Sequence, residues 1–122
     1  MYMTLTPKEA LLQYYHAERL KLNIMMMAHQ LTTVPTLKKE DKTGAKYILI
    51  TLLDSINAEI VAAAKMTRCA HFTKASTELE EVIRLAETNQ FGLASDKSGK
   101  AMIPITTAAV EAFEVLTKEG LL

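Results

Sequence analysis

Residues 45–66 read AKYILITLLDSINAEIVAAAKM and form a long, mostly apolar stretch. On a helix, which turns about 100° per residue, this stretch presents one broad apolar face. The face consists of Ala45, Ile48, Leu49, Leu52, Ile56, Ile60, Ala63 and Met66. Glu59 lies within the same face. Because a face this wide needs neighbours on more than one side, the pattern predicts that the rest of the chain folds around this helix.

The composition indicates a single helical domain that covers residues 1–122. Hydrophobic residues make up 49% of the chain and charged residues 23%, as in ordinary globular proteins. With only four Gly and three Pro, and with many Ala, Leu, Met, Glu and Lys, the chain favours helix. The length is enough for one core and too small for two. We therefore expect an all-α domain.

Charge and cysteine content narrow the setting in which the protein works. Fourteen basic and fourteen acidic side chains cancel, so no net field attracts nucleic acid or an anionic membrane. Cys69 is the only cysteine, which excludes an intrachain disulfide and fits a reducing compartment. The first residues lack the pattern of a signal peptide, and the apolar run 47–53 is too short to span a membrane. These features predict a cytoplasmic protein.

A first long helix is predicted from Thr6 to about Leu31. The Thr6 hydroxyl and Glu9 fit a capping box, and Pro7 suits the first helical position. The predicted apolar side consists of Leu11, Tyr14, Tyr15, Leu22, Met25 and Met26. Glu18 and His29 lie on that same side. Pro35 is expected to end the helix, since the residue before a proline avoids helical geometry.

The second half of the chain predicts two shorter helices. Residues 71–75 are interpreted as a connector, Thr77 as the cap of a third helix, and residues 105–119 as a fourth. Between the last two, residues 91–104 predict either a short β-hairpin with its turn at 96–99 or a plain loop. The expected fold is a four-helix bundle-like domain with two long and two short helices.

The two long helices carry more apolar surface than two short helices cover. Association of two copies along these surfaces would bury the remainder, so we expect a homodimer. The leading hypothesis is a small oligomerising helical protein that acts as a non-catalytic binding or scaffold module. It would need no cofactor, and its other protein partner is not identified by the sequence.

A second hypothesis is a carboxylate-rich metal-binding bundle. Glu18, His29 and Glu59 lie on apolar helix faces, and facing carboxylates and imidazoles in a bundle interior can hold a divalent metal. Neither glutamate is followed three residues later by His, as it would be in ferritin-like di-iron proteins. The alternative is that both acids accept hydrogen bonds from Tyr, Asn or Lys partners, because a buried acid must be paired or protonated.

Two further interpretations rest on short motifs. Residues 28–35 read AHQLTTVP, which is similar to the phosphoacceptor box of histidine kinases and their phosphotransfer relatives. The resemblance implies a phosphotransfer protein with an exposed His29 as acceptor. Residues 77–122 also fit a winged-helix DNA-binding protein, with residues 77–90 as its recognition helix. That segment carries four glutamates and one arginine, which would repel phosphates.

Overall fold

The computed structural model of the protein describes residues 5–122, and this part of the chain is helical with short connections. The helices are α1 (Pro7–Thr33), α2 (Lys39–Thr67), α3 (Ala70–Glu87) and α4 (Phe91–Lys118). A single 3₁₀ turn, Val34–Thr36, lies between α1 and α2. The all-α prediction is confirmed, and no strand occurs within residues 5–122.

The predicted start of α1 is confirmed in detail. The Thr6 hydroxyl accepts from the Glu9 backbone N–H at 3.1 Å, and the Glu9 carboxylate accepts from the Thr6 backbone N–H at 2.9 Å. These hydrogen bonds lower the pKa of Glu9. Pro7 occupies the first turn, where its missing N–H costs nothing.

Each helix runs antiparallel to the next, and α4 returns against α1. Side-chain bonds join Arg19 of α1 to Glu59 of α2, and Ser76 of α3 to Asn57 of α2. Lys97 of α4 pairs with Glu78 of α3. All four helices contribute to one buried apolar cluster, in which Ile24, Leu53, Phe72 and Ile105 are among the largest side chains.

Helix α2 buries four of the eight residues of its predicted apolar face, whereas Ala45 and Leu52 are half-buried and Ile48 and Met66 are exposed. Leu49, Ile56, Ile60 and Ala63 are buried, as is Leu53 beside them. Among the described residues, α2 is the one helix long and apolar enough to cross a membrane by length and composition, a test that core helices of soluble proteins also pass.

The buried face of α1 differs from the predicted one. The inner residues are Ala10, Gln13, Ala17, Leu20, Ile24, Met27 and Leu31. The predicted apolar residues Leu11, Tyr15, Leu22, Met25 and Met26 are exposed. The reason lies in α4, which presents Ala108, Ala109 and Ala112 to α1. The first half of the inner face of α1 is also small, with Ala10 and Ala17, which lets the two backbones approach closely there, whereas Leu20, Ile24, Met27 and Leu31 fill the core further along α1.

The 91–104 segment is helix rather than hairpin or loop, because it forms the first half of α4. Its buried residues are Ala94, Ser98 and Ala101, which with the following Ile105 have the helical spacing of four, three and four. The Ser98 hydroxyl donates to the Ser95 carbonyl within the helix. Pro104 is accommodated inside α4. The winged-helix interpretation therefore has no hairpin here to serve as its wing.

The predicted lengths of the last two helices are also wrong. Helix α4 has 28 residues, nearly as many as α1 with 27 and α2 with 29, whereas α3 has 18. Residues 71–75, predicted as a connector, form the beginning of α3, and Phe72 and Ala75 are buried there. The true connection is shorter because Arg68, with φ of 57°, reverses the chain in left-handed geometry.

Candidate functional site

The outer side of α1 carries a regular stripe of residues that are exposed except for one half-buried member, Glu18. We call this stripe the α1 outer seam and define it by Leu11, Tyr15, Glu18, Leu22, Met25 and His29. Successive members are separated by four, three, four, three and four residues, the spacing of a coiled-coil heptad. On α1 this seam lies opposite the buried face. Leu22, the largest aliphatic exposure at its centre, is 65% accessible.

A long open groove runs along the seam. Its volume is about 760 Å³, and most of its lining is apolar. The lining residues are Leu11, Tyr14, Tyr15, Glu18, Arg19, Lys21, Leu22, Met25 and Leu122. At one edge the Tyr14 ring packs against Phe113 of α4, with ring centroids 6.2 Å apart. The charged groups that line the groove, Glu18, Arg19 and Lys21, are all engaged in ion pairs, so most of its open surface is apolar.

Charged residues flank the middle of the seam. The Glu18 carboxylate pairs with the Lys21 ammonium at 3.2 Å on the same helix. Arg19 donates to Glu59 of α2 at 2.6 Å, and the Asn23 side chain donates to the other Glu59 oxygen at 2.7 Å. Each acid therefore has a cation beside it, and the middle of the seam carries balanced charge.

The three residues of the metal hypothesis do not form a common cluster. Glu18 and Glu59 have different cationic partners, and His29 lies exposed near the end of α1. Within residues 5–122, no three His, Cys, Asp or Glu side chains are placed to hold a metal ion together. The hydrogen bonds to Glu59 match the alternative of an acid paired with Asn and a cation. Metal binding stays a prediction.

His29 has the exposure that a phosphoacceptor needs. Its backbone carbonyl accepts from the hydroxyls of Thr32 and Thr33, at 2.8 and 2.9 Å. These two threonines of the motif thus stabilise the end of α1 and direct their hydroxyls at the backbone rather than at the imidazole. The phosphotransfer interpretation stays a prediction that rests on eight residues.

Two titratable residues have surroundings that the sequence did not reveal. His16 is half-buried, and its Nε2 atom is buried without a hydrogen-bond partner. Burial lowers the pKa of His16, and the charge of Arg19 lowers it further. Burial raises the pKa of the Cys69 thiol, which therefore stays protonated and is a poor nucleophile or metal ligand at neutral pH.

A second, smaller groove lies between α3 and α4. It has a volume of about 470 Å³ and is lined in part by His71, Lys74 and Lys100. Its acidic neighbours are already paired, since Glu78 contacts Lys97 and the His71 ring contacts Glu111 at 2.9 Å. This groove is more polar than the one on α1 and offers no nucleophile with an adjacent base.

Comparisons with models of known protein families, with curated proteins and with solved structures find no match.

Proposed function

We propose that this protein is a non-catalytic helical module that forms a homodimer through the α1 outer seam. The observation that carries the proposal is the heptad-spaced row of large apolar side chains facing water on the side of α1 opposite the core. Burying such a row removes its apolar surface from water, which stabilises a dimer by about 25 cal/mol for each Å² buried. A second copy carries the same row, so the two rows can cover each other in a symmetric interface.

The proposal also specifies the kind of object that dimerises. The four antiparallel helices with their shared core, within residues 5–122, support the proposal that the chain forms one bundle-like domain. Balanced charge and the single, protonated Cys69 favour a cytoplasmic setting. Exposed apolar residues away from the seam, such as Tyr47 and Ile48 of α2, offer a separate surface for another protein partner. Such a dimer acts as a scaffold and needs no cofactor.

The test is the oligomeric state in solution. We expect sedimentation equilibrium at micromolar concentration to give a dimer for the wild type. Leu22→Glu introduces a charge at the centre of the seam and should give a folded monomer, because an unpaired charge in an apolar interface is costly. Leu22 is exposed in the protomer, so the substitution leaves the core intact.

A matched control separates the seam from general surface apolarity. Ile103 lies on α4 and is 63% exposed, close to the 65% of Leu22. Ile103→Glu makes the same change in charge and should leave the dimer intact. A monomeric wild type, or equal loss of the dimer in both variants, would overturn the proposal.

A further inference from the structure

The groove between α3 and α4 contains two lysines whose charges are not neutralised by an acid. Lys74 of α3 and Lys100 of α4 both line this groove, and both side chains are exposed. Neither forms an ion pair in the part of the chain that the structure describes. Asp96, one helical turn before Lys100, does not pair with it either. The groove therefore presents two free ammonium groups to any molecule that enters it.

The acids that border the groove are engaged by other residues. The Oε2 atom of Glu78 is out of contact with water and lies 2.9 Å from the Lys97 ammonium. The Glu111 carboxylate contacts the His71 ring at 2.9 Å. Each carboxylate thus has a partner that reaches across from the other helix. An anion in the groove would meet the two free lysines, and the acids would repel it only weakly.

The two ammonium groups suit a phosphate better than a carboxylate. The cationic side chains that line the groove are lysines and a histidine rather than arginine. An ammonium is a compact charge that binds phosphate without fixed geometry, whereas the planar fork of arginine matches a carboxylate in a bidentate pair. A phosphate monoester carries about 1.5 to 2 negative charges at pH 7, which two lysines balance.

Further polar atoms in the groove are hydrogen-bond acceptors. The hydroxyls of Thr77 and Thr107 each donate to a carbonyl of their own helix, at 3.2 and 2.9 Å, so their oxygen lone pairs remain available. Pro104 has no N–H, so the Lys100 carbonyl lacks the donor that a helix normally supplies. These acceptors suit a ligand that carries hydroxyl groups next to its phosphate.

We infer that the groove between α3 and α4 binds a small hydroxylated phosphate monoester, with its phosphate held between Lys74 and Lys100. The groove volume of about 470 Å³ is in the usual range of small-molecule sites. This site does not depend on the proposed homodimer, because the groove belongs to α3 and α4 whereas the seam lies on α1. It adds a small-molecule ligand to a protein whose proposed role is association.

Titration with glycerol 1-phosphate, followed by the amide chemical shifts of the protein in NMR spectra, tests the inference. We expect saturable shifts around the groove and no response to glycerol. Lys74→Met and Lys100→Met should each weaken binding by roughly tenfold, because each removes one charged contact to the phosphate and keeps a side chain of similar length. Lys42→Met makes the same change in charge on an exposed part of α2 and should leave the affinity unchanged.

Inorganic phosphate provides the second comparison. It should shift the same amides with lower affinity than glycerol 1-phosphate, because it lacks the carbon-bound hydroxyls that donate to the groove. Equal affinity for the two compounds would overturn the hydroxyl contacts. Absence of saturable shifts, shifts centred outside the groove, or equal weakening in Lys42→Met would overturn the site itself. None of these results bears on the dimer, which sedimentation of the Leu22→Glu variant tests separately.

Discussion

Glu59 is the side chain that links α1 to α2 through two hydrogen bonds. Its carboxylate accepts from Arg19 and from Asn23, so an acid placed on a largely apolar face finds both a cation and an amide. The side chains of Arg19 and Glu59 are 49% and 37% exposed, and water therefore screens their attraction. The pair therefore adds little to the free energy of unfolding, and its main effect is on the relative orientation of the two helices.

A double-mutant cycle measures that contribution. Arg19→Ala, Glu59→Ala and the double variant should give a coupling free energy of about 0.5–1 kcal/mol, as for other solvent-screened pairs. The measurement is urea unfolding of all four proteins, repeated with EDTA. If Glu59 instead holds a metal, EDTA would destabilise the wild type and not Glu59→Ala. Coupling near zero would mean that the Arg19–Glu59 contact does not form in solution.

His16 should make stability depend on pH. Its folded-state pKa lies below the ordinary value of 6.5, so the unfolded chain binds the proton more readily than the folded protein does. The free energy of unfolding is therefore highest above pH 6.5, and it decreases as pH falls from there through the folded-state pKa of His16. His16→Gln should reduce the stability difference between pH 7.5 and 5.5, measured by urea unfolding. His29→Gln, which removes an exposed imidazole, is the control. An unchanged pH dependence in His16→Gln would contradict the buried setting of Nε2.

At the scale of the element, α4 contains residues that favour turns, and these residues make its helical structure hard to predict from the sequence. It contains Gly92, Gly99 and Pro104, yet it remains helical from Phe91 to Lys118. Six of its eight buried residues are alanine or serine, and its buried face packs against α1 and α3. Close packing along one face stabilises the helix more than the intrinsic preferences of two glycines and a proline disfavour it.

Gly99→Ala tests this helix directly. A Cβ at Gly99 would meet no atom within 4 Å, so the substitution adds helix preference without a clash. We expect the free energy of unfolding to rise by about 0.5–1 kcal/mol in chemical denaturation. The contrasting variant is Gly120→Ala, whose φ of +74° strains an L residue and should lower stability. Loss of stability in Gly99→Ala would favour a turn at 96–99 over the helix.

Helices α1 and α4 show how much of the fold can be predicted from the sequence. The capping box of Thr6 follows from a local pattern and is confirmed. The inner face of α1 does not follow, because weighting by hydrophobicity selects Leu22 and Met25 over Ala10 and Ala17. Which face is buried depends on the small residues of α4, a contact distant in the sequence.

The candidate site could be predicted only in part, because the sequence of α1 alone does not show which of its sides faces α4. The sequence predicts the apolar stripe that contains Glu18 and His29 but places it in the core, whereas most of this stripe is exposed in the structure. A signal was present, since α1 carries two heptad-spaced rows on opposite sides, and a helix with two such rows needs two partners. The pairing of Glu59 with Arg19 and Asn23 required the α1–α2 packing and could not be derived from spacing alone.

At the scale of the whole molecule, one chain forms a buried core by itself but exposes a row of apolar side chains on α1. Residues from all four helices fill one cluster, so the core needs no second chain. The seam on α1 nevertheless exposes Leu11, Tyr15, Leu22 and Met25 to water. Association of folded protomers, rather than coupled folding and binding, is the expected route to the proposed dimer.

Dimerisation of a folded protomer should make thermal stability depend on protein concentration. Mass action stabilises the dimer by about 1.4 kcal/mol for each tenfold rise in concentration, so we expect Tm of the wild type to rise by a few degrees per decade. The measurement is calorimetry over two decades of concentration. In Leu22→Glu the Tm should be independent of concentration and equal to the wild-type value extrapolated to high dilution, because the core of the protomer is unchanged. A concentration-independent wild type would mean that the seam stays exposed to solvent, and a Leu22→Glu protein that fails to fold would mean that the protomer depends on its partner.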